Sequence, residues 1–225
     1  MRSAIFAPLA VAICCVAAWS NAAEKVLFQD DFKAGLSAKW QLVGLKKEDY
    51  RLRDGGLEMR VQPGPFTADT PMLKVMLPFT SAETAIASVK VTLLDKFTED
   101  GEFAGVFLLD EAGREFAAKK ERLAGKVYFS PGAVDFQGEE GEEGDLTKYK
   151  TLLVDESPEA GPLRIIVDRG DAFFQVGPSS KGKYHNHFYS AIRSTSKERG
   201  FGLSAGGAPK GSSHWVRFED FRVER

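Results

Sequence analysis

The two ends of the chain constrain it most. Val26-Leu-Phe-Gln-Asp-Asp-Phe32 and His214-Trp-Val-Arg-Phe-Glu-Asp-Phe-Arg-Val223 both place apolar and polar residues in near alternation, the period-two pattern of a half-buried strand. Two such strands at opposite ends read as partners that close one antiparallel body. The fold class this predicts is all-β, a two-sheet antiparallel sandwich, with the intervening chain supplying the rest of both layers.

The segments between them agree. Arg51-Leu-Arg-Asp-Gly-Gly-Leu-Glu-Met-Arg-Val61 alternates on both sides of an Asp-Gly-Gly turn, and Leu163 to Val176 alternates on both sides of Arg169-Gly-Asp171; each reads as a hairpin. Further strands are expected at 72–79, 85–94, 103–110 and 115–122. The run Phe103-Ala-Gly-Val-Phe-Leu-Leu109 is apolar at every position, which suits a central strand covered on both faces. Residues 112–122 also admit a charged helix, but the turn at Glu111-Ala-Gly113 makes a hairpin the more economical reading. No repeat or linker divides the chain, so residues 24–225 are expected to form one domain, with Gly138-Glu-Glu-Gly-Glu-Glu-Gly-Asp145 as a solvated acidic loop.

Residues 1–23 have a basic start at Arg2, an apolar stretch from Ala4 to Trp19 and small residues in Ser20-Asn-Ala-Ala23, the layout of a cleavable secretory leader. The expected location is therefore secreted or periplasmic. No later segment is apolar enough for a membrane helix. Both cysteines, Cys14 and Cys15, fall in the leader, so the mature chain is expected to lack thiol nucleophiles, cysteine zinc sites and disulfides. The whole chain carries 30 Lys and Arg against 32 Asp and Glu. That near-neutral balance lacks the basic footprint of a nucleic-acid binder.

Phe28-Gln-Asp-Asp-Phe32 followed by Trp40, and Tyr50-Arg-Leu-Arg-Asp-Gly-Gly-Leu-Glu-Met59, resemble the opening of concanavalin A-like lectin/glucanase domains, including the β-xylosidase C-terminal and 3-keto-disaccharide hydrolase types. Gly200-Phe-Gly-Leu-Ser-Ala205 and Phe218-Glu-Asp-Phe-Arg-Val223 are similar to that superfamily's last strands. The resemblance spans the mature chain and lies in scaffold positions. It implies a two-sheet jelly roll whose concave face binds or cleaves sugars in other members. The Glu-x-Asp-x-x-Glu pattern of the superfamily's glucanases is absent, so the resemblance carries over no nucleophile or acid.

Candidate binding residues are few. Tyr184, His185, His187 and Tyr189, with Phe188 between, gather rings and polar tips in one short segment; flat rings stack on sugar C–H faces while polar edges hold hydroxyls. His185 and His187 also share one face of a strand, a spacing that presents two imidazoles to a metal, but no acidic ligand follows among Ser190, Ala191 and Ile192. If the terminal strands pair, Asp30, Asp31, Glu219 and Asp220 come close and offer hard oxygen ligands for a structural calcium ion; solvated carboxylates beside Lys33 and Arg222 are the alternative. The reading requires no other cofactor. Trp40 and Trp215 are expected in the core. Asp110, Glu115, Asp168 and Asp171 lie at strand ends, with nothing to say which converge. The function expected is an exported carbohydrate-binding domain without catalytic machinery. A divergent glycoside hydrolase of the same fold and a cell-surface protein-interaction domain are the alternatives.

Overall fold

Lys25 and Arg225 exchange both of their backbone hydrogen bonds, each 2.9 Å long, so the two ends of the described chain lie side by side as their alternation predicts. The computed structural model describes residues 25–64, 66–67, 69–111, 113–133, 153–154, 159–177, 185–192 and 196–225. The leader expected at 1–23 and the acidic loop expected at 138–145 lie outside these residues. The strands are β1 (Val26–Asp30), β2 (Gln41–Val43), β3 (Tyr50–Arg53), β4 (Gly56–Arg60), β5 (Met72–Leu77), β6 (Ala85–Leu93), β7 (Phe103–Leu109), β8 (Arg114–Leu123), β9 (Lys126–Ala133), β10 (Leu153–Val154), β11 (Ala160–Asp168), β12 (Asp171–Val176), β13 (His185–Ala191), β14 (Arg199–Gly206) and β15 (Trp215–Glu224). Among the described residues the one helical element is a 3-10 turn at Lys47–Asp49.

The strands form two antiparallel sheets. The first runs β13-β12-β11-β6-β15-β4-β3, with β1 also on β15; the second runs β10-β9-β8-β7-β14-β5-β2. β15 is long enough to serve two partners along one side, pairing β4 through Trp215–Phe218 and β1 through Phe221–Glu224. Between those stretches its register against β6 slips after Glu219, and Asp220 sits at φ +50°. This bulge inserts one residue, so Val216 and Phe218 before it and Phe221 and Val223 after it all face the core despite the change of parity.

Both predicted hairpins form as two-residue turns with consecutive positive φ angles, Asp54 (+51°) and Gly55 (+74°) in one, Arg169 (+48°) and Gly170 (+96°) in the other. That geometry matches the strand twist. A third, Ala124 (+47°) and Gly125 (+81°), joins β8 to β9. Residues 114–123 form a strand, so the helical alternative for this region gives way to the hairpin, and Asp110 and Gly113 exchange backbone bonds across the turn.

Alternate residues from the two sheets fill the space between them. Leu73, Val75 and Leu77 of β5, Ala104, Val106 and Leu108 of β7, and Phe201, Leu203 and Ala205 of β14 meet Val89 and Val91 of β6, Leu163, Ile165 and Val167 of β11, and Phe218 and Phe221 of β15 in one apolar core. All of β7 is buried on both faces, as its uniform apolarity requires. Close strand approach there depends on glycine. A Cβ on Gly105 would lie 2.3 Å from the Ala118 carbonyl oxygen and 2.8 Å from the Lys119 Cα, and backbone cannot rotate away as a side chain can. Gly105→Ala is therefore expected to lower stability by about 2 kcal/mol in urea unfolding, the usual cost of overpacking; an unchanged midpoint would show that β7 and β8 separate without penalty.

Candidate functional site

The outward positions of the second sheet form a surface unlike the rest of the molecule. Met72 of β5, Phe103, Phe107 and Leu109 of β7 and Ala117 of β8 make a small apolar cluster of their own, on the opposite side of the sheet from the main core. β14 contributes Gly200, Gly202 and Gly206 to this face, and a Cβ on Gly202 would meet the Met72 sulfur at 3.1 Å, one on Gly206 the Phe103 ring at 2.9 Å. The glycines let neighbouring side chains lean across the strand, which paves the face and leaves β14 buried along its length.

Across this paving runs the connection from β4 to β5. Its near end is tied to β14 and the residues that follow, Gln62 N–H donating to the Ala205 carbonyl and Gly64 N–H to that of Ala208, and its far end by the Ser204 hydroxyl, which donates to the Pro71 carbonyl at 2.7 Å. Between these anchors Phe66 lies half-buried on the face, 4.8 Å from the Phe103 ring edge-on and 5.4 Å from Phe107. Two cations hold it. The Arg114 guanidinium stands 5.4 Å from the Phe66 centroid while donating to the carbonyls of Thr67, at 2.9 Å, and Thr70. Lys119 Nζ lies 5.2 Å from Phe66 and 5.3 Å from Phe103, and forms an ion pair with Glu121 at 3.2 Å. Such placements over ring faces are attractive by about 0.5–2 kcal/mol. Burial pulls Arg114 down to about 10, with Asp69 opposing the shift, so it remains charged at neutral pH. In the row beyond Lys119, the Ser130 hydroxyl is buried without a hydrogen-bond partner. The surface thus presents a partly exposed aromatic ring beside anchored charges. That is the composition of a polar-ligand site, with apolar walls and few oriented polar groups.

Glu115 and Glu121 are the acids that β8 carries at this face. They stand six residues apart on one strand, about 20 Å at the rise of an extended chain, well beyond the 5–9.5 Å of a glycosidase pair. Glu115 is bonded to the buried Arg199. Asp110 caps Gly113 and Asp168 accepts from the Thr84 hydroxyl.

The ligand wall expected from the sequence lies elsewhere. His185, His187 and Tyr189 fall on β13, the edge strand of the first sheet, where His185 pairs with Val176 and Tyr189 with Phe173; Tyr184 lies outside the described residues. The terminal strands pair as predicted, with Asp30 opposite Phe221, and the four carboxylates are engaged separately. Asp30 is buried and accepts from Phe32 N–H at 2.8 Å, Ser37 N–H at 2.9 Å and the Trp40 indole at 2.8 Å. Asp31 accepts from the Lys33 backbone, Glu219 pairs with Lys90 at 2.9 Å, and Asp220 sits in the β15 bulge. Among the described residues no three His, Cys, Asp or Glu side chains converge to hold a metal ion.

Trp40 is in the core, packed edge-on against Phe28 at 5.0 Å. Trp215 is not. Since Val216 and Phe218 face inward, the strand turns Trp215 outward, where Arg51 stacks over it at 4.1 Å and Arg60 at 5.4 Å. His214, beside it, bonds through Nδ1 to the fully buried Glu102 at 2.7 Å, whose other oxygen accepts from Thr98 and Glu99 N–H. An ionised carboxylate only accepts, which fixes the Nδ1–H tautomer in neutral His214. This dyad ties the turn before β7 to the one before β15.

Sequence reasoning passed over Phe66 and its cations. The signal available was Gln62-Pro-Gly-Pro-Phe66, a rigid connection that ends on an aromatic residue with no strand pattern to bury it.

No protein-family model and no curated protein matches the sequence. Solved structures do. The CBM2 module of the Lactobacillus casei BL23 phage J-1 evolved Dit superposes with a TM-score of 0.64 at 10% identity, over 89% of this chain and 95% of that one. The Bacteroides ovatus xyloglucan PUL GH43B gives 0.64 at 16% identity over 87% of this chain, which spans 38% of that protein. LamAcat from Zobellia galactanivorans gives 0.54 at 10% identity over 89% and 98%. These similarities are of fold, and they show the two-sheet jelly-roll sandwich that the terminal strands and the resemblance together lead one to expect.

Proposed function

We propose that this chain is an exported carbohydrate-binding domain that holds a glycan on the outer face of its second sheet without turning it over. The observation that carries the reading is Phe66, a half-exposed ring laid across a sheet face and fixed there by Arg114. Holding an aromatic side chain at a surface, rather than turning it inward, forgoes burial worth about 1.5–3 kcal/mol; a ring held so is suited to stack on a sugar. The neighbours support the same class. One is a CBM2 module and another a GH43 protein of a xyloglucan system. Export rests on the leader read in residues 1–23, and absence of turnover on the wide spacing of Glu115 and Glu121.

Titration of the mature chain with a panel of soluble polysaccharides tests the proposal. At least one is expected to bind, and Phe66→Ala is expected to weaken that binding about tenfold, a loss of about 1.4 kcal/mol, with thermal unfolding followed as a control on the fold. Wild-type affinity in a folded Phe66→Ala protein would remove the site, and silence across the panel would remove the function.

A further inference from the structure

We infer that the glycan taken by this face is anionic, carrying carboxylate or sulfate groups, and that Lys74 receives the charge. The inference rests on the glycan-binding reading and specifies its ligand class.

It follows from the charges on the face. Lys119 is matched by Glu121 at 3.2 Å. Arg114 is turned into the Phe66 connection, with Asp69 as its acidic neighbour. Lys74 is different. It lies on β5 between Leu73 and Val75, which face the core, so its own side chain points outward with Met72 and Met76. It makes no ion pair among the described residues, and it stands in a cross-strand row Gln41, Lys74, Gly202, Phe107, Ala117. Gly202 places no side chain between Lys74 and Phe107, whose Cα atoms are two strand spacings, about 10 Å, apart. Phe107 itself is fully buried and packed against Phe66, so a ligand stacked on the exposed part of Phe66 would extend over Met72 and Leu109, which lean across Gly202, toward the Lys74 ammonium and the exposed Gln41 amide.

The test compares polygalacturonate, dextran sulfate and uncharged dextran and xylan against the mature wild-type chain, Lys74→Gln and Lys74→Glu, at 50 and 200 mM salt. Lys74 is half-exposed, so both variants are expected to fold, and unfolding midpoints verify this. An anionic polymer is expected to bind at least fivefold more tightly than either uncharged one, to lose about fivefold in Lys74→Gln and more in Lys74→Glu, and to weaken with salt. Preference for polygalacturonate assigns a carboxylate and preference for dextran sulfate a sulfate; both uphold the inference. Equal or better binding of xylan or dextran, or anionic binding indifferent to Lys74, overturns it while the carbohydrate-binding reading stands. Loss of all binding overturns both.

Discussion

Asp30→Ala is expected to destabilise the protein by about 4 kcal/mol, read as a lowered midpoint in urea unfolding at unchanged slope. The carboxylate is buried at the end of β1 and accepts three N–H groups, from Phe32, Ser37 and the Trp40 indole, all within 2.9 Å. Hydrogen bonds to a charged group contribute about 1.5–3 kcal/mol each, and a donor left buried without its acceptor adds a penalty of its own. These bonds also hold backbone that would otherwise relax. Phe32 sits at φ +60° with its ring almost fully buried, a conformation disfavoured for a bulky residue unless its surroundings determine it. The ring stacks 6.3 Å from Trp40, which in turn packs 5.0 Å from both Phe28 and Phe221. Removing Asp30 therefore loosens the packing that joins the two ends of the chain. A double-mutant cycle separates the parts. Trp40→Phe alone deletes one donor and is expected to cost about 1–2 kcal/mol, and in the Asp30→Ala background it should cost less, because the orphaned indole N–H is gone. A loss below 1 kcal/mol for Asp30→Ala would mean that the loop after β1 is held by something else.

The same residue shows what a sequence reveals and what it conceals. The pairing that sets Asp30 opposite Phe221 was legible because strand alternation is local and the pairing of the ends follows from it. The role of Asp30 was not, since the three donors come from a loop whose path depends on one left-handed residue, Phe32. The Asp-Gly-Gly and Arg-Gly-Asp turns were readable for the opposite reason, their positive φ angles being written in the glycines. β9 escaped notice because Pro131 and Gly132 interrupt its strand pattern, although both sit in register opposite β8. Trp215 was expected inside, yet the inward parity of Val216 and Phe218 already pointed it outward. Phe66 could not have been placed from its neighbours. Its partners Arg114 and Lys119 lie far along the chain on β8, and only the crossing of the β4–β5 connection over the second sheet brings them together.

Glu58→Ala is expected to cost about 3 kcal/mol at pH 7, and its pH dependence identifies the cause. Cross-strand register sets Arg51, Glu58 and Arg217 in one row over β3, β4 and β15. The Glu58 carboxylate has almost no exposure and accepts from Arg51 Nε and from Arg217, each at 2.6 Å. Gly56 makes room for this, since a Cβ there would meet the Arg217 stem at 2.7 Å, and Arg51 is held over Trp215 while it bonds to Glu58. Deleting one partner of a buried pair costs about 3–5 kcal/mol; Arg217 keeps Asp54 as a second partner at 3.2 Å, which places the value at the lower end. Burial alone would raise the Glu58 carboxyl, but the bonds from Arg217 and Arg51 outweigh it, so the folded-state value lies below the ordinary 4.5. The unfolded chain then binds the proton more readily than the folded one, and stability rises with pH across the interval between the two values. The contribution is complete above about pH 4.5 and is lost as pH drops through the lower folded value. Wild type and Glu58→Gln should accordingly differ most near pH 7 and converge toward pH 3 in parallel urea titrations. A difference that stays constant from pH 7 to pH 3 would show that packing, and not the ionised pair, is what Glu58 supplies to the first sheet.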